Sequence, residues 1–207
     1  MCDDTLGMLG PVIRAAVGDT IKVVWMYHSH TDEVADTNAG LIGPMVITAK
    51  ASADPATATP LDVDREIFQF FTVENENKSP YLEKNLKELA GAPNNISTSD
   101  ADAFEESNLM HSINGYVYGN SPVPTMRKGQ RVRWYIFTLG TEVDLHSPRW
   151  HGNTLTVNGM RSDMMQIMPG MMMVGDMVPD NVGTWLLHCH VNDHILAGMQ
   201  TRYRVTT

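Results

Sequence analysis

Apolar and polar positions alternate in short blocks along this chain, and few of those blocks run at a helical period. Residues 65–73 (REIFQFFTV), 131–139 (RVRWYIFTL), 183–189 (GTWLLHC) and 199–206 (MQTRYRVT) are rich in aromatic and β-branched residues and predict strands. Residues 11–25 (PVIRAAVGDTIKVVW) predict apolar strands broken at a Gly-Asp turn, and residues 41–49 (LIGPMVITA) predict another. Turn signals such as ENEN, GNSP and VPDNVG separate them. One helix is expected over residues 79–91 (SPYLEKNLKELAG): Ser79 caps it, Pro80 suits the first turn and Gly91 follows the end. Many short strands with few helices predict an all-β architecture of sandwich domains.

Residues 51–60 (ASADPATATP) are small, proline-containing and aperiodic, so they read as a linker. The expected division is a first part, 1–50, a linker, 51–61, and a second domain, 62–207. The second is long enough to close a sandwich. The first offers three or four strands, which leaves open edges and too little core to fold alone. It is expected to lean on the second part, on another chain, or on sequence absent from this chain.

Composition narrows the function classes. The chain of 207 residues is 43% apolar and 19% charged, as in ordinary soluble proteins. No apolar run is long enough to span a bilayer, so no membrane partner is expected. The stretch MCDDTLGMLG has neither the basic start nor the apolar core of a signal peptide. A net charge of −9 argues against nucleic acid, whose phosphates need a basic surface. Of the two cysteines, Cys2 lies near the start and Cys189 sits between two histidines, a poor pair for a disulfide. Seven of the 15 methionines fall within residues 164–177.

The eight histidines carry most of the chemistry. In WLLHCHVNDHILAGM, residues 185–199, Cys189, His194 and Met199 bring a thiolate, an imidazole and a thioether together from one strand and the loop after it. A second histidine, most naturally His146, completes a His₂Cys set with a weak axial sulfur, the blue-copper arrangement that suits electron transfer. Structural zinc usually takes two or more cysteines, and here one is placed to ligate. Strand alternation turns His188 and His190 away from that metal, and His28 and His30 likewise share one face. Two such pairs can converge on a second centre across a domain boundary.

The stretches LGMLGPVIRAAVGDTIKV, YHSHTDEVADTNAGLIGPMVIT, MHSINGYVYGN, VRWYIFTLGTEVDLHSPRWHGNTL and GTWLLHCHVNDHILAGM together resemble the multicopper oxidase family, in its ceruloplasmin-like and two-domain laccase-like branch. The resemblance implies cupredoxin Greek-key β-sandwich domains, one complete and one truncated. It implies copper as cofactor, with a phenolic or metal-ion electron donor (Fe²⁺ or Cu⁺) oxidised at type 1 copper and O₂ reduced to water at a trinuclear cluster. His146, Cys189, His194 and Met199 match the type 1 ligands; His28, His30, His151, His188 and His190 match type 3 ligands. Cys189, His188 and His190 then form the electron route. A homotrimer and a periplasmic or secreted location follow from the same resemblance.

Two departures weigh against type 2 copper. Arg149 occupies a slot where the family carries a histidine, and arginine offers no lone pair and a fixed positive charge. The family's first-domain His-x-His-Gly motif is absent, and the chain runs directly from VGDTIKVV into WMYHSH, a junction at Val24–Trp25. A non-catalytic blue-copper carrier or decayed paralogue keeping only type 1 copper is therefore the alternative, with a copper nitrite reductase-like activity third. His111 is expected as a hydrogen-bonded structural histidine, Glu142, Asp144 and Asp193 as solvated loop carboxylates that otherwise guide a cation to the type 1 site, and the 164–177 methionines as packing residues. Asn77 and Asn95 fit the glycosylation pattern.

Overall fold

Residues 67–71 and 134–137 are apolar at every position but Gln69 because the two strands they belong to are covered on both faces. The computed structural model describes residues 7–16, 26–88, 101–141 and 143–207. In chain order its strands are β1 (Ile13–Ala16), β2 (Met26–His28), β3 (Ile42–Thr48), β4 (Arg65–Asn75), β5 (Leu109–Ile113), β6 (Thr125–Arg127) and β7 (Val132–Phe137). They continue as β8 (Pro148–Trp150), β9 (Leu155–Val157), β10 (Met160–Ser162), β11 (Met172–Met177), β12 (Gly183–Cys189) and β13 (Gln200–Thr206). Short helices α1 (Glu33–Thr37), α2 (Leu82–Glu88), α3 (Ala101–Ser107) and α4 (Asn192–Leu196) lie between them.

Among the described residues these strands form three sheets: β1-β3-β2, β10-β9-β11-β7-β4-β5 and β6-β13-β12-β8. The second and third face each other as a sandwich. Ile67, Phe71, Trp134 and Ile136 on one inner face meet Trp150, Leu187, Cys189, Tyr203 and Val205 on the other. Alternate residues of the same two strands, Phe68, Phe70, Tyr135 and Phe137, point outward, where Leu9, Ile42 and Val46 cover them. The first part thus rests on the second: its three-stranded sheet lies on the outer face of β4 and β7. Each aromatic it covers represents about 1.5–3 kcal/mol of burial, so the two parts stabilise each other. Arg14 of β1 adds an ion pair to Glu66 at 2.7 Å.

The expected strands over 41–49, 65–73, 131–139, 183–189 and 199–206 form within a few residues of the predicted bounds. Of residues 11–25, the described 11–16 contain β1, and 17–25, with the Gly-Asp turn and the Val24–Trp25 junction, lie outside the described residues. The 51–60 stretch is a closed loop: Asp54 accepts from the N–H groups of Ala56 and Thr57, and Ala53 bridges Pro60. The helix expected over 79–91 starts later, at Leu82, because Ser79 caps a preceding turn, its Oγ accepting from Tyr81 N–H. Helices α1, α3 and α4 span five to seven residues, too few for a 3.6-residue period to stand out in the sequence. The Asn77 amide donates to Glu105 O and accepts from Asn108. Cys2, Asn95 and Glu142 lie outside the described residues.

Candidate metal centre

Three side chains from three local structures meet at one end of the sandwich. Cys189 closes β12 with its side chain turned into the core, fully buried. His146 precedes β8 and is fixed by two backbone hydrogen bonds to Ile167, 3.0 Å each way. His194 sits on α4, one short turn after Cys189. Sγ of Cys189 lies 3.8 Å from His146 Nδ1 and 3.5 Å from His194 Nδ1, and the two Nδ1 atoms are 3.1 Å apart. The three atoms lie within 4.8 Å of one another, close enough to share one metal ion. Met199 is also fully buried, in the same apolar core as Cys189, and its carbonyl accepts from Cys189 N–H at 3.0 Å.

The surroundings select a neutral His194 imidazole and a protonated Cys189 thiol in the metal-free chain. Burial, with the neighbouring His146 and His111 rings, pushes the His194 pKa down to about 4. Burial pushes the Cys189 thiol up, partly offset by backbone N–H groups of Ser147 and Val191. The Ser147 N–H points at the sulfur, 3.3 Å away.

Two neighbours read differently from their sequence expectation. Asp144 is a buried carboxylate, not a solvated one. It accepts from Val73 N–H at 2.6 Å and from Thr141 N–H at 2.9 Å, and it faces His146 Nε2 at 3.4 Å. His111 does have a local hydrogen-bond partner, Leu109 O, yet its ring also packs 5.2 Å from that of His194. Asp193 is exposed, as expected of a loop acid. Of the clustered methionines, Met165 and Met177 fill the core. Neither the burial of Asp144 nor the His111–His194 contact has a local sequence signal, since both arise from long-range packing.

On the other side of β12 the alternation works as predicted. His188 and His190 project together, ring centroids 5.5 Å apart, away from the Cys189 side. His188 Nδ1 binds Cys189 O at 2.8 Å, which leaves Nε2 facing His151 Nε2 at 3.0 Å. His190 is exposed, and Arg149 Nη1 donates to its Nε2 at 3.4 Å while Arg149 Nε is held by Asp163.

His28 and His30 do not join this group. Their rings lie 4.5 Å apart on and just after β2, beside a cavity of about 650 Å³. Among the described residues no hydrogen bond, ring contact or shared cavity links them to His151, His188 or His190. The five histidines matched to type 3 positions are thus split three and two within one chain. The reason is architectural: β12 belongs to the four-stranded sheet, and β2 lies beyond the six-stranded sheet. His28 nonetheless uses the same local device as His188, Nδ1 bound to the next residue's carbonyl at 3.0 Å and Nε2 left over.

Comparison with known proteins gives the family. A family model described as multicopper oxidase matches residues 90–207, more than half the chain. The chain belongs to the multicopper oxidase family. It is 39% identical to mouse (Mus musculus) ferroxidase HEPHL1 over 190 residues, 92% of this chain and 16% of that protein. It is 41% identical to human (Homo sapiens) hephaestin over 189 residues, 90% of this chain and 16% of that protein. Human ceruloplasmin is 39% identical over 188 residues, 91% of this chain and 17% of that protein. The chain therefore spans about one sixth of the length of these curated relatives. A solved multicopper oxidase superposes with a TM-score of 0.60 at 17% identity, over 87% of this chain and 55% of that one. A copper nitrite reductase from Nitrosomonas europaea superposes with a TM-score of 0.62 at 18% identity, over 88% and 62%. These two likenesses establish the cupredoxin fold. Copper is the metal this multicopper oxidase family implies, and two imidazoles, a thiolate and a buried thioether suit it. At Arg149 a guanidinium tied to Asp163 and His190 offers a metal no lone pair.

Proposed function

We propose that the chain is the electron-accepting part of a copper-dependent oxidoreductase, with His146, Cys189, His194 and Met199 holding a type 1 copper. The observation that carries this reading is the buried convergence of His146 Nδ1, Cys189 Sγ and His194 Nδ1. Copper bound by such residues supplies one-electron oxidation of a phenolic or metal-ion donor (Fe²⁺ or Cu⁺) at type 1 and O₂ reduction to water at a cluster.

The chain's own residues prepare that chemistry. Burial excludes water from the three ligating atoms. The Ser147 N–H stabilises sulfur as thiolate, and Asp144 holds the His146 ring by its far nitrogen. The backbone joins Cys189 covalently to His188 and His190, and the His188 Nδ1 bond to Cys189 O adds a second connection. His151 and His188 present facing Nε2 atoms for a type 3 pair. His28 and His30 are its other half, supplied by a second copy, and head-to-tail contacts of that kind close into a ring such as a trimer. Residues 1–50 act as a truncated first cupredoxin domain, 51–61 as the linker and 62–207 as the domain carrying type 1 copper. The assembly works outside the cytoplasm, periplasmic or secreted; no described helix is long and apolar enough to cross a membrane.

The Arg149–His190 bond favours a second reading, a blue-copper carrier without oxidase activity. Copper counting, electron paramagnetic resonance and O₂ uptake with a phenol or Fe²⁺ decide between them. Blue absorption with donor-dependent O₂ uptake supports the oxidase. One type 1 copper per chain with no O₂ uptake supports the carrier. A copper-loaded chain with no blue absorption refutes both.

A further inference from the structure

Between the first part and the sandwich lies a cavity of about 370 Å³, a size that takes one small organic molecule. The first part supplies α1, with Val34 at the mouth, 56% exposed. The second part supplies a buried floor of Phe70, Thr72 and Asp144, with Val73, Leu109 and Leu139 on the sides. The two parts are tethered beside it, where Asn38 Oδ1 accepts from Asn75 N–H at 2.8 Å. The polar atoms of the floor are acceptors. Asp144 spends three of its roughly four lone-pair positions on Val73 N–H, Thr141 N–H and His146 Nε2. The Thr72 hydroxyl donates to Leu139 O at 3.1 Å, which leaves its oxygen able to accept.

We propose that this cavity is an effector site for a small neutral molecule with an apolar ring and one hydroxyl group, the hydroxyl donating to Asp144. The apolar sides take the ring, and a floor of acceptors asks for a donor. Glu33, Glu74 and Asp144, set against Lys78 alone, repel an anion. A cation would leave water for apolar walls at a high desolvation cost. Asp144 carries the effect to the metal centre. Its contact with His146 Nε2, at 3.4 Å, is the longest of its three, so a hydroxyl drawing on the same carboxylate loosens that contact first. Only this effect rests on the type 1 copper reading; binding is a property of the metal-free chain.

Amide NMR of the full metal-free chain, titrated with cyclohexanol, tests the binding. The Val73 and Thr141 amides are expected to shift saturably, and cyclohexanecarboxylate is expected to leave them unmoved. Val34→Trp fills the mouth from an exposed helix position; it is expected to abolish the cyclohexanol shifts and to keep the parent's melting temperature. In the copper-loaded parent, cyclohexanol is expected to displace the blue band over the same concentration range. Methylcyclohexane, which has no hydroxyl, is expected to leave the band in place. Absence of a saturable amide shift, an undiminished shift in Val34→Trp, or tighter binding of cyclohexylamine than of cyclohexanol overturns the site. Binding with an unmoved blue band, or a band that methylcyclohexane moves equally, overturns the effector role. A copper-loaded chain that is not blue refutes the type 1 reading instead, and the amide titration then decides the cavity by itself.

Discussion

Nη1 of Arg149 donates to Nε2 of His190 across 3.4 Å, on the side of β12 that His190 shares with His188. The lone pair that His190 would offer a metal is thereby engaged, and a permanent charge stands beside it. The second anchor of the guanidinium, Asp163, is about half exposed, so that ion pair contributes at most about 1 kcal/mol.

Arg149→Ala is therefore expected to change thermal stability by no more than a few degrees and to leave the blue absorption of a copper-loaded chain unchanged. Arg149→His alone is expected to give no O₂ uptake, because no His-x-His-Gly motif stands in the first part to complete a type 2 site. Copper content and O₂ electrode traces check both. Brisk O₂ consumption by R149H would contradict this account of the cluster.

Asp144 ties the metal centre to β4. Asp144→Ala removes the acceptor of the half-buried Val73 N–H, of the exposed Thr141 N–H and of the far nitrogen of the buried His146 ring. Val73 N–H and the His146 nitrogen, left unpaired away from water, cost about 1–3 kcal/mol each. The metal-free variant is expected to unfold at lower urea concentration with an unchanged slope, a loss of about 3 kcal/mol or more. Its copper-loaded form is expected to show a displaced blue band, because the His146 ring is no longer held. A variant within about 0.5 kcal/mol of the parent would mean that water replaces the carboxylate at no cost.

The convergence of His146, Cys189 and His194 was legible in the sequence, and the frame that holds them less so. Cys189, His194 and Met199 lie close together in one stretch, and alternation on a strand assigns His188 and His190 to the other side without further information. The aromatic runs of β4 and β7 announced strands, but only the packing of Ile42 and Val46 explains why both faces are apolar. Asp144 and His111 looked like a loop acid and a structural histidine. Their contacts with His146 and His194 depend on partners 2 and 83 positions away, and the buried setting of both comes from the sandwich rather than from local pattern. The separation of His28 and His30 from His188 is a distance across two sheets, which no spacing along the chain encodes.

Copper uptake at the Cys189 centre is expected to release a proton. Burial holds the thiol above its ordinary range, so it is protonated throughout the neutral region and must ionise to ligate. His194, with a pKa pushed down to about 4, is already neutral above roughly pH 5 and adds nothing to the proton count there. Competition titrations between about pH 6 and pH 8 should therefore show affinity rising nearly tenfold per pH unit, the slope for about one proton. A flat profile would rule out thiolate ligation.

Glu74 provides the opposite pH signature, and it concerns folding rather than copper. Burial raises its pKa to about 7, with Glu76 and Asp144 adding to the effect and the Ser112 hydroxyl, donating at 2.6 Å, opposing it. The folded chain thus holds this proton more tightly than the unfolded chain, whose value is near 4.5. Its contribution to stability is fully present below about pH 4.5 and is lost as pH rises through 7. Glu74→Gln removes the ionisation but keeps an oxygen to accept from Ser112. The variant is expected to match the parent near pH 4.5 and to exceed it at pH 8 by on the order of 2–3 kcal/mol, read as a melting temperature several degrees higher. Equal melting temperatures at pH 8 would show that the carboxylate is hydrated or paired in solution, and the buried environment assigned to it between β4 and β5 would be wrong.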